Sequence, residues 1–175
     1  MPSIPIPQEE IISGHGQEFW TPRRVARTAI FIAMSAVGAM IKVPSPTGTV
    51  ALDAAFAFFS AITFGWKEGM LVAALGHLLT ALTTGFPLGF PMHILIAVEM
   101  GLWVSIFSLL ARKVHLWAGI IAGIILNGPV SAVMVIPIGG MGLMAALLIP
   151  LTIGGAVNIF IAVTAYLIIK KSSMI

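Results

Sequence analysis

Cysteine is absent from all 175 residues, so disulfides, thiolate catalysis and cysteine-ligated metals are excluded. Charge is also scarce, because only 9% of the residues are charged whereas 59% are hydrophobic. A soluble domain carries roughly a quarter charged residues, and the mean hydropathy of this chain is +1.08. The chain cannot cover a water-facing exterior, and we expect lipid to be its solvent.

Catalytic and nucleotide-binding motifs are missing as well. No Gly-x-Ser-x-Gly elbow surrounds a serine, and there is no phosphate-binding loop, so any ATP hydrolysis must come from another chain. No two histidines have the i, i+4 spacing of helical metal ligands. The sequence therefore predicts no enzyme, and no metal or cofactor bound by this chain.

Apolar runs separated by Pro- and Gly-rich breakers predict an all-α integral membrane protein with six transmembrane helices. A span needs about 20 apolar residues, and the runs fall at about residues 23–41, 51–64, 70–84, 93–110, 117–136 and 144–169. Residues 1–22 are predicted to form a short cytoplasmic tail, residues 23–171 the membrane domain, and residues 172–175 a C-terminal tail.

The basic residues predict the orientation. With the N-terminus in the cytoplasm, the inner side holds every basic residue except Lys42, namely Arg23, Arg24, Arg27, Lys67, Arg112, Lys113, Lys170 and Lys171. This bias is the positive-inside signal, and Trp20, Trp66 and Trp117 fall at the same boundary, as an interfacial aromatic belt would. Both termini are therefore predicted to be cytoplasmic, and the pI of about 9.7 is explained without nucleic acid.

Three predicted outer connections are rich in Pro, Gly and Phe: residues 43–50, 85–92 and 137–143. Proline and glycine set tight backbone shapes rather than flexible linkers. These segments can simply terminate helices, or they can form a lid over a pocket that opens to the outside.

Ionisable side chains inside spans are costly and mark functional sites by default. The candidates are Asp53, His77, His93 and Glu99, with Asn127 and Asn158 as neutral polar groups. A pocket between the last three helices would gather Glu99, Asn127 and Asn158. Alternatives stay open, because the asparagines can hydrogen-bond between helices, Glu99 can pair with a histidine, and Asp53 can cap the second helix.

Small residues four apart allow helices to approach closely in lipid. The first helix contains Ala29-x-x-x-Ala33, and the fifth contains Gly119-x-x-x-Gly123. For the glycines we predict internal packing. The alanines fit either internal packing or a surface that faces a second protein.

Four stretches together resemble a known family: the Ala29-x-x-x-Ala33 helix, Pro44-Ser45-Pro46-Thr47-Gly48, Ala51-Leu52-Asp53-Ala54-Ala55 and Phe64-Gly65-Trp66-Lys67-Glu68-Gly69. From about Arg23 to Lys171 the chain is similar to the substrate-binding (S) components of energy-coupling factor (ECF) transporters, the vitamin importers of prokaryotes. The resemblance implies six helices, a pocket near the outer face and no catalysis by this chain.

The resemblance also implies partners and a location. A transmembrane coupling subunit would contact Ala29 and Ala33, and two cytoplasmic ATPases would use the ATP. The assembly would lie in the plasma membrane of a prokaryote. The chain starts Met1-Pro2 and lacks the Met-His amino terminus of the metal-carrying relatives, which argues against nickel or cobalt.

The stretch from Pro44 to Asp53 resembles the subgroup that carries α-ribazole, a nucleoside precursor of cobalamin. On this hypothesis Phe86 and Phe90 stack on the flat base, Glu99 accepts hydrogen bonds from ribose hydroxyls, and His93 borders the same pocket. The same residues suit other heteroaromatic vitamins, such as a thiamine precursor, riboflavin or cobalamin. From other classes, a membrane-embedded enzyme or a structural subunit remains an alternative.

Overall fold

The computed structural model describes residues 20–45 and 48–172. Over these residues the chain forms six helices and one β-hairpin, in the order α1 (Pro22–Gly38), β1 (Lys42–Ser45), β2 (Gly48–Ala51), α2 (Ala55–Thr63), α3 (Trp66–Thr84), α4 (Phe90–Lys113), α5 (Leu116–Met134) and α6 (Ile136–Lys171). The predicted helical class of fold is confirmed.

The start of α1 follows ordinary capping chemistry. The Thr21 side chain accepts a hydrogen bond from the Arg24 amide, and Pro22 occupies the first turn, where no amide donor is needed. The helix ends at Gly38 rather than at the predicted residue 41. A Cβ at Gly38 would lie 2.5 Å from the Leu52 carbonyl oxygen, so glycine is required where the chain packs back on itself.

The segment predicted as the first outer loop and the start of the second helix is a β-hairpin. β1 and β2 pair antiparallel, with Lys42 opposite Ala51 and Val43 opposite Val50. The residue before a proline is pushed towards extended backbone, which applies to Val43 and Ser45. As a consequence α2 begins at Ala55, not at residue 51, and contains only nine residues.

The last two helices depart from simple α-helices at Pro and Gly. α5 contains a π-helical turn, Leu126–Val130, around Pro129, which accommodates a residue that lacks a backbone donor. α6 starts at Ile136, earlier than the predicted residue 144, and is broken at Gly140, where φ is 68°. The predicted 137–143 connection is therefore part of a kinked helix.

Three of the described helices are long and apolar enough to cross a membrane: α4, α5 and α6. α1 has 17 residues, which is near the lower limit of about 17 for a span. The nine residues of α2 rise only about 14 Å, roughly half of a hydrocarbon core. The count of six spans stays a prediction.

Close helix packing rests on small residues, as the glycine pattern of α5 predicted. A Cβ at Gly119 would lie 2.6 Å from Ala111 Cβ, and one at Gly123 would lie 2.8 Å from the Ile159 side chain. Both glycines are buried, so the prediction of internal packing for this pair is confirmed.

Glu68 ties α1 to α3 at one end of the bundle. Its Oε1 accepts from Arg24 at 2.7 and 3.0 Å and from Arg27 at 3.3 Å, and the residue is buried. The predicted spans 51–64 and 70–84 leave Glu68 between helices, but α3 begins at Trp66, so this carboxylate lies in the first helical turn. We call this end, which also carries Arg112 and Lys113, the basic end, and the opposite end, with β1 and β2, the hairpin end.

Candidate functional site

A cavity of about 660 Å³ lies in the half of the bundle nearer the hairpin end. Its walls come from α3, α4, α5 and α6 and from the segment before α2. Six of the eight residues predicted to bind substrate line it, namely Asp53, His77, His93, Glu99, Asn127 and Asn158. Apolar side chains such as Ile96, Met100 and Leu147 complete the walls. A small-molecule site typically has this volume and this mixture of apolar walls and few polar groups.

Glu99 is a buried carboxylate in the cavity wall, and one of its oxygens lacks a hydrogen-bond donor among the described residues. It lies on α4, is 4% exposed and lines the cavity. Its Oε1 is buried and makes no hydrogen bond within the part of the chain that the structure describes. Leaving a buried carboxylate oxygen without a donor is costly, so a hydrogen-bond donor inside the cavity would relieve that cost.

His77 of α3 and His93 of α4 pair with each other. His77 Nε2 lies 3.1 Å from His93 Nδ1, and the two rings stack with centroids 5.3 Å apart. The alternative in which Glu99 pairs with a histidine is not observed among the described hydrogen bonds. The histidine pair thus joins two walls of the cavity.

Asp53 lies between β2 and α2 and is buried. Its carboxylate accepts hydrogen bonds from the Thr80 hydroxyl and from the Asp53 and Ala54 amides. Asp53 lines the cavity, but the N-cap residue of α2 is Ala54, so the alternative in which Asp53 caps this helix is not observed.

Asn158 supplies the cap of α2 from another helix. Its Oδ1 accepts from the Ala55 amide at 2.8 Å, and its Nδ2 donates to the Gly154 carbonyl at 2.9 Å. The α2 N-cap residue itself, Ala54, provides no side-chain hydrogen bond. Interhelical hydrogen bonding, one of the two alternatives for this asparagine, is therefore what the structure shows.

Replacing Asn158 with alanine should lower stability, because the buried Ala55 amide would lose its acceptor. A buried donor left unpaired costs about 1–3 kcal/mol, so the melting temperature in detergent should fall measurably. Asn127→Ala is the matched control, since no hydrogen bond of the Asn127 side chain is seen in the described residues. Equal melting temperatures for the two variants would contradict the capping role.

Asn127 lies in the π turn of α5, which sequence reasoning missed although Pro129 was its signal. Ser131 closes this turn by donating to the Leu126 carbonyl at 3.0 Å and accepting from Trp103 Nε1 of α4 at 3.0 Å. Opposite Asn127, Gly155 leaves room, because a Cβ there would lie 3.0 Å from Asn127 Nδ2. The turn thus places Asn127 at the cavity wall between α5 and α6.

Phe86 and Phe90, predicted to stack on a ligand, contact each other instead. Their centroids are 5.3 Å apart and the rings are nearly perpendicular. Among the described residues neither ring lines the cavity, although Pro87 and Leu88 between them do. The two rings therefore lie at the cavity rim in this conformation.

The α1 alanines face away from the bundle. Ala29 and Ala33 are exposed, whereas Thr28 and Ser35 lie on the other side of α1 and are buried against the bundle. Gly76 of α3 allows Ser35 to approach closely, since a Cβ at Gly76 would lie 2.7 Å from Ser35 Cβ.

No trio of His, Asp and Glu side chains able to hold a metal ion occurs in the described ranges.

The family described as "ECF transporter, substrate-specific component" matches residues 23–170. A solved structure described as "Structure and mechanism of the S component of a bacterial ECF transporter" is similar with a TM-score of 0.64 and 22% identity, over 85% of this chain and 96% of that chain. At that identity the similarity establishes a shared fold. None of the curated proteins matches the chain. Because the family match spans most of the sequence, the chain belongs to the substrate-specific components of ECF transporters.

Proposed function

We propose that this S component binds α-ribazole in the cavity near the hairpin end and delivers it to a transport complex. The observation that carries the proposal is the buried Oε1 of Glu99 in the cavity wall, which has no hydrogen-bond partner among the described residues. Ribose hydroxyls are donors that would satisfy this oxygen, while the apolar walls suit a flat heteroaromatic base. The resemblance of the Pro44–Asp53 stretch to the α-ribazole subgroup selects this ligand among heteroaromatic vitamins.

The charges around the cavity favour the nucleoside over its phosphate ester. Among the described residues that line it there are two carboxyl groups, Asp53 and Glu99, and neither lysine nor arginine. A phosphate placed there would meet like charge without a compensating cation.

Calorimetry on the purified protein tests the substrate. α-Ribazole should bind saturably, and α-ribazole phosphate should bind more weakly or not at all. Riboflavin, a thiamine precursor and cobalamin are the competing ligands. Binding of one of these in place of α-ribazole would replace the substrate while leaving the family assignment intact, and native mass spectrometry of gently purified protein would identify a co-purified ligand directly.

The proposed assembly contains this chain as a six-span protein of a prokaryotic plasma membrane, with both termini and the basic end in the cytoplasm. Its partners are a transmembrane coupling subunit and two ATPases, which hydrolyse the ATP. The positive-inside distribution supports the orientation. On this proposal the cavity and the α3–α4 connection face the outside.

Single cysteines can test this orientation, because the chain has none of its own. Lys67→Cys and Val114→Cys mark the basic end. Met141→Cys marks the hairpin end, and Thr47→Cys, which lies outside the described residues, marks the connection predicted to face outward. A membrane-impermeant maleimide applied to intact cells should label residues 47 and 141 only. Labelling at 67 or 114, without labelling at 47 or 141, would reverse the orientation and the direction in which the cavity opens.

A further inference from the structure

His93 lies where the α3–α4 connection, residues 85–89, meets the cavity. The Leu88 backbone N–H donates to His93 Nε2 at 3.4 Å, while His93 Nδ1 lies 3.1 Å from His77 Nε2. The Phe86 ring packs against the imidazole with centroids 5.6 Å apart. His93 is itself buried, so its polar atoms depend on these partners.

These contacts define which nitrogen of each ring carries the proton. Because Nε2 of His93 accepts from Leu88, a neutral His93 carries its proton on Nδ1. That Nδ1–H then donates to His77 Nε2, and His77 carries its own proton on Nδ1. His93 thus acts as acceptor towards the connection and as donor towards α3.

The backbone of the α3–α4 connection adopts conformations that its surroundings must stabilise. Three of its five residues have positive φ: Gly85 at 74°, Phe86 at 52° and Gly89 at 83°. Phe86 has a side chain in a region where glycine is favoured, and such conformations persist only where their surroundings enforce them. The amides of Phe86 and Gly89 bond to the Ala81 and Phe86 carbonyls, so they close the turn without reaching an α4 side chain.

We propose that His93 is a positioning residue that holds the α3–α4 connection over the cavity through the Leu88 amide. Pro87 and Leu88 line the cavity, and Leu88 also packs on the buried cluster of Met92, Val135 and Leu147. Removing the acceptor at His93 Nε2 would release Pro87 and Leu88 from their position in the cavity wall. The inference rests on the proposed function only in treating the cavity as the ligand site.

Two substitutions separate the two roles of the imidazole. His93→Gln places an amide oxygen near the Nε2 position and can still accept from Leu88. His93→Asn reaches only the Nδ1 position, so it can keep the bond to His77 but not the bond to Leu88. A structural role in joining α3 to α4 would favour Asn, whereas the proposed role favours Gln.

The readout needs no ligand. Ala81→Cys, a buried position in the cavity wall, reports access of a small methanethiosulfonate reagent to the detergent-purified protein. We expect labelling about fivefold faster in His93→Asn than in the parent, the size of one ordinary hydrogen bond, and nearly parental labelling in His93→Gln. Val114→Cys, which is exposed at the basic end, controls for reagent reactivity in each background.

Hydrogen exchange of the peptide that spans residues 85–90 provides a second measurement on the same variants. The Leu88 amide should exchange faster in His93→Asn and stay protected in His93→Gln. Equal behaviour of the two variants in both measurements, whether fast or slow, would overturn the proposal. Failure of α-ribazole to bind the parent protein would refute the substrate but would leave these ligand-free results unchanged.

Discussion

Replacing Ala29 or Ala33 with tryptophan is expected to abolish uptake while ligand binding by the purified subunit survives. Both alanines are exposed on α1, on the side turned away from the bundle. If this face docks on the coupling subunit, small side chains four residues apart permit a close approach that an indole would block. Transport of labelled α-ribazole into cells and calorimetry on the isolated subunit measure the two properties separately.

Ala145→Trp is the matched control, because Ala145 is an exposed alanine on α6. It should leave uptake near the parental level. Co-purification with tagged coupling subunit and ATPases adds a readout that does not depend on the ligand, and it should be lost in the α1 variants alone. Equal loss of binding and uptake in Ala29→Trp would assign these alanines to packing within the chain.

The rigidity of α1 gives this prediction its physical basis. α1 is held to α3 at the basic end by the Arg24–Glu68 ion pair and further along by the close approach of Ser35 to Gly76. A helix anchored at two levels presents its outer face in a defined orientation. Docking would then require little reordering of α1.

Hydropathy predicted the helices well where a long apolar run ends at a glycine or proline. The predicted end of the third helix at residue 84 agrees with α3, which closes at Gly85 in a left-handed conformation. Hydropathy did not reveal strands β1 and β2, which lie in and around the predicted connection 43–50, where the prolines favour extended backbone. It also missed the start of α4 at Phe90, since proline is tolerated in the first helical turn.

The cavity was predicted in part for a simple reason. Ionisable and amide side chains within apolar helices must face one another or a cavity. The polar residues in the predicted spans therefore included six that line the cavity. Their individual roles depend on contacts that the sequence does not display. Asn158 reaches the Ala55 amide across 103 positions of sequence, and Ser131 owes its place to a π turn whose only sign was Pro129.

Glu99→Gln is expected to weaken α-ribazole binding by about ten- to a hundredfold, which corresponds to the roughly 1.5–3 kcal/mol of a charge-assisted hydrogen bond. The substitution preserves shape and packing but removes the charge from the one buried acidic oxygen that lacks a partner in the described structure. Asn127→Ala should cost less, because it removes a neutral group at the wall. Phe86→Ala or Phe90→Ala should weaken binding if ligand draws these rings inward.

Glu68→Gln is the control for this test, because it makes the same chemical change in another buried glutamate. Glu68 already has Arg24 and Arg27 as partners and lies at the basic end, away from the cavity. Its substitution should lower the melting temperature and leave affinity near the parental value. Glu99→Gln should instead raise the melting temperature and lower the affinity, because an unpaired buried carboxylate destabilises the empty protein. Unchanged affinity in a folded Glu99→Gln variant that also melts earlier would return Glu99 to a structural role and remove it from the ligand site.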